Sequence, residues 1–354
     1  MIKNVVKLIG INVFFLIIGL IFLEFSTRIY LMITNKMELS FLRNPPLIIM
    51  DKYRSIIEYS PTLGYVPIKN IHFKVDLQNW NSSILTINEL GFRKGIEKSI
   101  DKNNPILIAG DSFVFGNQVN DDETWPAYLQ KAGYNIYNLG VGGYGTAQSL
   151  LRLKTFIDEY NITPKLVILQ TLVGFDFIRD TYDFYSGFPS TALYKNENNI
   201  IKYFCPSKND LDIIGSKYSS VQTNKNIFIT LSEYSHFIRL LFTKQIQGYQ
   251  KRLDRTYKDA LSKEEIIDFV LTEFSKMPYK KIFLLQYGGD ENEIISEEKK
   301  YLLSKLKKLG IEYIDTYNAT RINNKPIKEL YFYHHTSKGN EVIANYILNT
   351  KLLD

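Results

Sequence analysis

Sixteen consecutive uncharged residues, Leu8 to Leu23, separate Lys7 from Glu24, and all but Gly10, Asn12 and Gly19 are strongly apolar. A helix crossing a bilayer core asks for about 20 apolar residues. Val5 and Val6 before the run, and Ile29 to Ile33 after it, extend its apolar character. The pattern predicts one transmembrane helix within residues 1–36, with Glu24 and Arg28 spaced to pair on its surface. A cleaved signal peptide is the rival reading, because the uncharged stretch is short. No Ala-x-Ala-like site follows it, which favours an uncleaved anchor.

Residues 37–100 are mixed and rich in Pro, Asn and aromatics, with turn signals at 62–67 and 87–93. They read as a lead-in packed on the main domain. From residue 104 short apolar runs alternate with longer segments of helical period. Predicted strands are Ile106–Ala109, Tyr134–Leu139, Leu166–Leu172, Lys281–Gln286 and Ile311–Ile314. Predicted helices are Asp122–Lys131, Thr146–Tyr160, Ser296–Leu309 and Ser337–Leu348. Strands alternating with helices imply an α/β domain with a mainly parallel sheet, here 101–354. The rhythm breaks over 178–275, with helical candidates at Ile227–Leu241 and Leu253–Phe274. That stretch is too long for a plain connection, so it reads as an insertion. It either covers a site or packs at the periphery.

Composition narrows the possible functions. The net charge of +6 over 354 residues comes without a basic stripe, so no nucleic-acid partner is expected. Cys205 is the single cysteine, which excludes an internal disulfide and cysteine-type zinc clusters; no metal or organic cofactor is expected. Lys3 and Lys7 precede the apolar run, while Arg28, Lys36 and Arg43 follow it, so the charge count does not set orientation. The length of the downstream domain places it on the extracytoplasmic side of a bacterial cytoplasmic membrane.

The candidate chemistry sits at the end of the first strand. Gly110-Asp111-Ser112 follows Ile106–Ala109, so the serine lies at the carboxyl edge of the sheet, where a hydroxyl is exposed and backbone N–H groups lack partners. A serine nucleophile needs a base and oxyanion donors. Of the four histidines, His72 and His236 read as surface or otherwise satisfied residues. His334 and His335 lie just before the last helix, where a loop can return to the same edge.

With these blocks in view, the chain resembles the SGNH (GDSL-type) hydrolase superfamily. Gly110-Asp111-Ser112 matches the first block, and Asn138 to Gln148 is similar to the second. The last block, a histidine five residues before a glycine, fits His334 and Gly339, with His335 as the alternative. More narrowly, Gly64–Pro67, Asn88–Arg93, Phe113–Gly116 and Glu123–Pro126 resemble membrane-anchored bacterial members. The resemblance covers about 60–176 and 305–348. It implies a three-layer α/β/α fold with a five-stranded sheet, Ser112 and His334 as catalytic pair, and the N–H groups of Ser112 and Gly143 as oxyanion donors. Asp111, Asn138 and Asp176 are supporting residues, structural in turns and loops.

Two departures stand out. Phe175 occupies the place of the third block's asparagine donor, and Tyr331 and Phe332 that of the usual aspartate. Asn138 or Gln170 could supply the amide, and a backbone carbonyl could orient the imidazole. The resulting expectation is a membrane-tethered serine esterase or acyltransferase acting on acyl, chiefly acetyl, esters of envelope or secreted glycans. A catalytically degenerate domain that binds glycan or organises an envelope assembly is the alternative.

Overall fold

The computed structural model describes residues 2–33, 56–75, 83–96, 102–185, 188–209, 231, 235–242, 255–289 and 294–353. The chain divides into two compact units, 1–49 with 77–79 and 217–252, and the remainder.

In the first unit, helix α1 (Ile2–Ile33) carries the apolar run. Its stretch Val5–Tyr30 has a mean hydropathy of 2.6 and is long and apolar enough to cross a membrane. Near its end Glu24 accepts from Arg28 Nε at 2.7 Å, from Ser235 Oγ at 2.6 Å, and from the N–H groups of His236 and Phe237 at 3.1 Å each. A carboxylate on so apolar a helix is costly unless paired and hydrogen-bonded. Here its bonds tie α1 to a short helix, His236–Leu241, the described part of the predicted 227–241 helix; 227–230 and 232–234 lie outside the described residues.

The second unit is built on a five-stranded sheet of β1 (Ile106–Ala109), β2 (Ile136–Asn138), β3 (Leu166–Leu172), β4 (Lys280–Gln286) and β5 (Glu312–Asp315). The order is β5-β4-β3-β1-β2 and every neighbouring pair is parallel. β1 and β3 are buried along their whole length, as their unbroken apolar runs require when both faces are covered. Alternate side chains serve opposite layers. Leu107, Val167, Leu169, Phe283 and Leu285 pack with helices Thr146–Tyr160, Lys263–Ser275 and Ile294–Lys308. Ile106, Ile108, Ile168, Ile282 and Leu284 pack with helices Trp125–Lys131 and Ser337–Asn349. This is the expected three-layer α/β/α arrangement.

Several predicted elements are corrected, and the strand expected over Tyr134–Leu139 spans Ile136–Asn138. The helix expected from Asp122 begins at Trp125, because Thr124 caps it by accepting from Ala127 N at 3.1 Å and Pro126 lacks a donor; Asp121–Glu123 is a separate 3₁₀ turn. The helix expected over Leu253–Phe274 begins at Lys263, where Ser262 and Glu265 form a capping box, and Arg255–Thr256 is a strand. The last strand starts at Glu312 rather than Ile311.

Candidate functional site

Ser112 opens a one-turn helix, Ser112–Phe115, directly after β1. Asp111 stabilises that turn by accepting from Phe113 N at 2.9 Å. The opposite approach comes from the segment before the last helix, where His334 Nε2 lies 2.8 Å from Ser112 Oγ. His335 does not reach the serine. Its ring is buried between those of Phe113 and Tyr331, facing the backbone of Tyr287.

The place of the missing aspartate is filled by a residue the sequence did not single out. Gln118 Oε1 lies 3.0 Å from His334 Nδ1 and accepts from His334 N at 3.1 Å. A backbone N–H only donates, so the amide atom facing it is the oxygen. The same oxygen then takes the Nδ1 proton, and Nε2 is left with its lone pair towards Ser112 Oγ–H. The tautomer needed for a general base is thus set by a neutral side chain. Burial, followed by the positive charge of Arg179, lowers the His334 pKa to about 3. The imidazole is neutral across the ordinary pH range.

Backbone strain gathers at this contact. Gln118 has φ +75° and Tyr333, which precedes His334, has φ +62°; non-glycine residues in this left-handed region are uncommon and cluster at functional sites. Arg93 holds the loop that carries Gln118. Its buried guanidinium donates to the carbonyls of Phe115 (2.8 Å), Val119 (2.7 Å) and Gly116, and pairs with Asp121 at 3.1 Å. The Asn88–Arg93 block therefore has a physical role behind the serine.

At Gly143, expected from the sequence to offer an oxyanion donor, Tyr65 OH donates to the preceding carbonyl, Gly142 O, at 2.6 Å. In a trans peptide the N–H points opposite to the C=O, so Tyr65 turns the Gly143 N–H away from itself. Gly143 has φ +84°, and a Cβ there would meet Tyr65 OH at 2.9 Å and the Tyr185 ring at 3.6 Å. No acceptor is recorded for the N–H of Ser112 or of Gly143 among the described residues.

The remaining predicted residues lie behind this surface. Asn138 Nδ2 donates to Val114 O at 2.8 Å and its Oδ1 accepts from Gly140 N at 3.0 Å, so its amide is occupied. Gln170 Oε1 accepts from Asp111 N at 3.0 Å. Asp176 Oδ2 accepts from Leu172 N at 2.6 Å. Arg179, which the sequence reading also missed, bridges Asp111 at 3.0 Å and Asp176 at 2.5 Å. Burial, then the neighbouring Asp111, pushes the Asp176 carboxyl well above the usual range. Phe175 packs with Phe113, Leu172, Leu330 and Tyr331, an apolar role in place of a donor. Among the described residues no group of three or more His, Cys, Asp and Glu side chains is arranged to hold a metal. A cavity of about 290 Å³ bordered by Tyr59, Leu63, Arg152 and Tyr160 includes neither Ser112 nor His334.

No family model and no curated protein matches the chain. Solved structures do. One is a protein described as a putative lipolytic protein of the G-D-S-L family from Desulfitobacterium hafniense, 14% identical, covering 70% of this chain and 99% of its own, with a TM-score of 0.36. An acetylxylan esterase, Axe2 from Geobacillus stearothermophilus, is 13% identical over 71% of this chain and 94% of its own, with a TM-score of 0.37. LAE5, an α/β hydrolase from the metagenome of Lake Arreo, is 13% identical over 71% and 97%, with a TM-score of 0.40.

Proposed function

We propose that the chain is a serine ester hydrolase with Ser112 as nucleophile and His334 as general base. The observation that carries this reading is the 2.8 Å contact between His334 Nε2 and Ser112 Oγ, with Nδ1 engaged by Gln118. Ser112 Oγ bonds to the ester carbonyl carbon, its proton passes to Nε2, and the carbonyl π pair moves onto oxygen. The N–H groups of Ser112 and Gly143 take that oxyanion. On collapse the C–O bond to the leaving alcohol breaks and the alkoxide recovers the proton from His334. Water, or a sugar hydroxyl in a transferase, then attacks the acyl-Ser112 and the cycle reverses.

The acyl group in this reading is short, chiefly acetyl. Support comes from Tyr65 and Tyr185, which crowd Gly143 and leave little width beside the oxyanion donors. The acceptor or donor is an O-acylated glycan of the envelope or a secreted glycan. Helix α1 tethers the chain to the membrane with the second unit outside the cytoplasm; its length and hydropathy support the anchor. Asp111, Asp176 and Arg179 support the serine turn rather than take part in bond making. A binding-only domain is the alternative that Phe175 motivates; the geometry at His334 favours turnover.

The test is hydrolysis by the full chain in detergent of p-nitrophenyl esters of increasing chain length, and acetate release from acetylated xylan. Turnover confined to short esters and abolished by Ser112→Ala is the expected result. Equal rates for wild type and Ser112→Ala would refute the reading.

A further inference from the structure

Position 175 offers no amide to an oxyanion, Asn138 Nδ2 donates to Val114 O, and Gln170, whose Oε1 accepts from Asp111 N, keeps its Nε2 fully buried without a partner. A different amide stands beside the serine. Asn117 is 8% exposed, its Oδ1 is fully buried without a partner, and its Nδ2 is not sealed from solvent and makes no side-chain hydrogen bond among the described residues. A buried amide oxygen without a partner is disfavoured in a folded protein, and the accessible N–H group beside it is available to a ligand.

Its position is defined on three sides. Asn117 N donates to Ser112 O at 3.1 Å, which folds residue 117 back over the serine turn. Arg93 holds the carbonyls of Gly116 and Val119 on either side of residues 117 and 118. A Cβ built on Gly142 would meet Asn117 Nδ2 at 3.3 Å, Asn117 Oδ1 at 3.7 Å and Ser112 Cβ at 3.8 Å. The amide, the serine side chain and the Gly142–Gly143 peptide thus converge on one point. Gly142 is the residue whose lack of a side chain leaves that point open.

We infer that Asn117 is a catalytic residue that donates its Nδ2–H to the oxyanion formed at Ser112, as third donor beside the N–H groups of Ser112 and Gly143. The inference rests on Ser112 being the nucleophile. Residues 117 and 118 then share the work of one short loop: Asn117 serves the carbonyl oxygen and Gln118 orients the base. Both roles are filled from the segment that follows the serine, rather than from the loops after β3 and before the last helix.

A donor aimed at developing charge acts in the transition state, so its loss lowers kcat and leaves KM nearly unchanged. The experiment compares wild type, Asn117→Ala, Asn117→Asp and Ser112→Ala as full chains in detergent, with p-nitrophenyl acetate. Removing one oxyanion donor costs about 10²–10³ in kcat. Both Asn117 variants are expected to show that loss with KM within about threefold of wild type. The aspartate, nearly isosteric but negatively charged, should lose at least as much as the alanine. Because no side-chain hydrogen bond is recorded for Asn117, the melting temperature of Asn117→Ala should stay at the wild-type value, which separates catalysis from folding. If Ser112→Ala is inert while both Asn117 variants keep kcat within about threefold of wild type, the assignment of Asn117 is overturned and the nucleophile stands. If Ser112→Ala retains turnover, both readings fall.

Discussion

Replacing Gln118 by glutamate tests the proposal that His334 acts as a base beside a neutral amide rather than an acid. In the wild type Gln118 Oε1 and His334 Nδ1 are 3.0 Å apart, and the imidazole pKa is lowered to about 3, first by burial and then by Arg179. Gln118→Glu keeps the shape and places a negative charge on that oxygen. With charge centres about 4 Å apart and an effective dielectric near 20, attraction to the imidazolium is about 4 kcal/mol. Burying the new carboxylate consumes part of it, so an upward shift of about 1–3 units is expected, the usual effect of one adjacent opposite charge. The assay is the second-order rate of fluorophosphonate labelling of Ser112 against pH. Wild type should stay reactive well below pH 6, since the base is already neutral there. Gln118→Glu should lose reactivity at a pH about 1–3 units higher. Above that limb it should react about tenfold faster or more, because imidazolium forms in the transition state and each unit gained is about 1.4 kcal/mol. An acid limb that does not move, or a wild-type limb near 6.5, would refute the reasoning.

Other substitutions probe the supports. Tyr65→Phe removes the bond that holds the Gly142 carbonyl; kcat should fall about tenfold or more with an unchanged fold, read by kinetics and circular dichroism. Arg93→Met leaves the carbonyls of Phe115, Gly116 and Val119 without a buried donor and should destabilise the chain by about 3–5 kcal/mol in urea titration, with loss of labelling. His335→Phe should leave labelling unchanged, since the His335 ring packs between Phe113 and Tyr331 and does not reach Ser112. Both His334 and His335 have pKa values lowered to about 3 in the fold, burial being the first cause in each. An unfolded histidine, at about 6.5, binds more protons in the window between. Stability should therefore be fullest above pH 6.5 and decline as pH falls towards 3, checked by urea midpoints across that range.

Much of the frame was legible because burial on both faces writes unbroken apolar runs into β1 and β3, and their predicted limits coincide with the observed ones. Helix Thr146–Tyr160 was legible from its helical period, with Ala147, Leu150, Leu153 and Ile157 on the buried face. Boundaries failed where a single cap decides them, at Thr124 and Ser262. At the site, the serine turn and the returning histidine follow from the order of strands and helices. Gln118 and Asn117 do not, because their roles depend on a tertiary approach: a base arriving from 216 residues away at Gln118, and the Gly142 turn closing on Asn117. The signal in the chain was a pair of adjacent amides between Gly116 and Val119, which carries no meaning until Arg93 is seen holding that loop. Arg179 was hidden for the same reason, since Asp111 and Asp176 meet only in the fold.

The central claim is that Ser112 is a nucleophile activated by His334. The most direct measurement is peptide mass spectrometry of the full chain after exposure to a fluorophosphonate. A single adduct on the peptide containing Ser112, absent in Ser112→Ala and slowed at least about a hundredfold in His334→Ala, is the predicted result. No adduct on that peptide, or one that forms equally fast without His334, would contradict it.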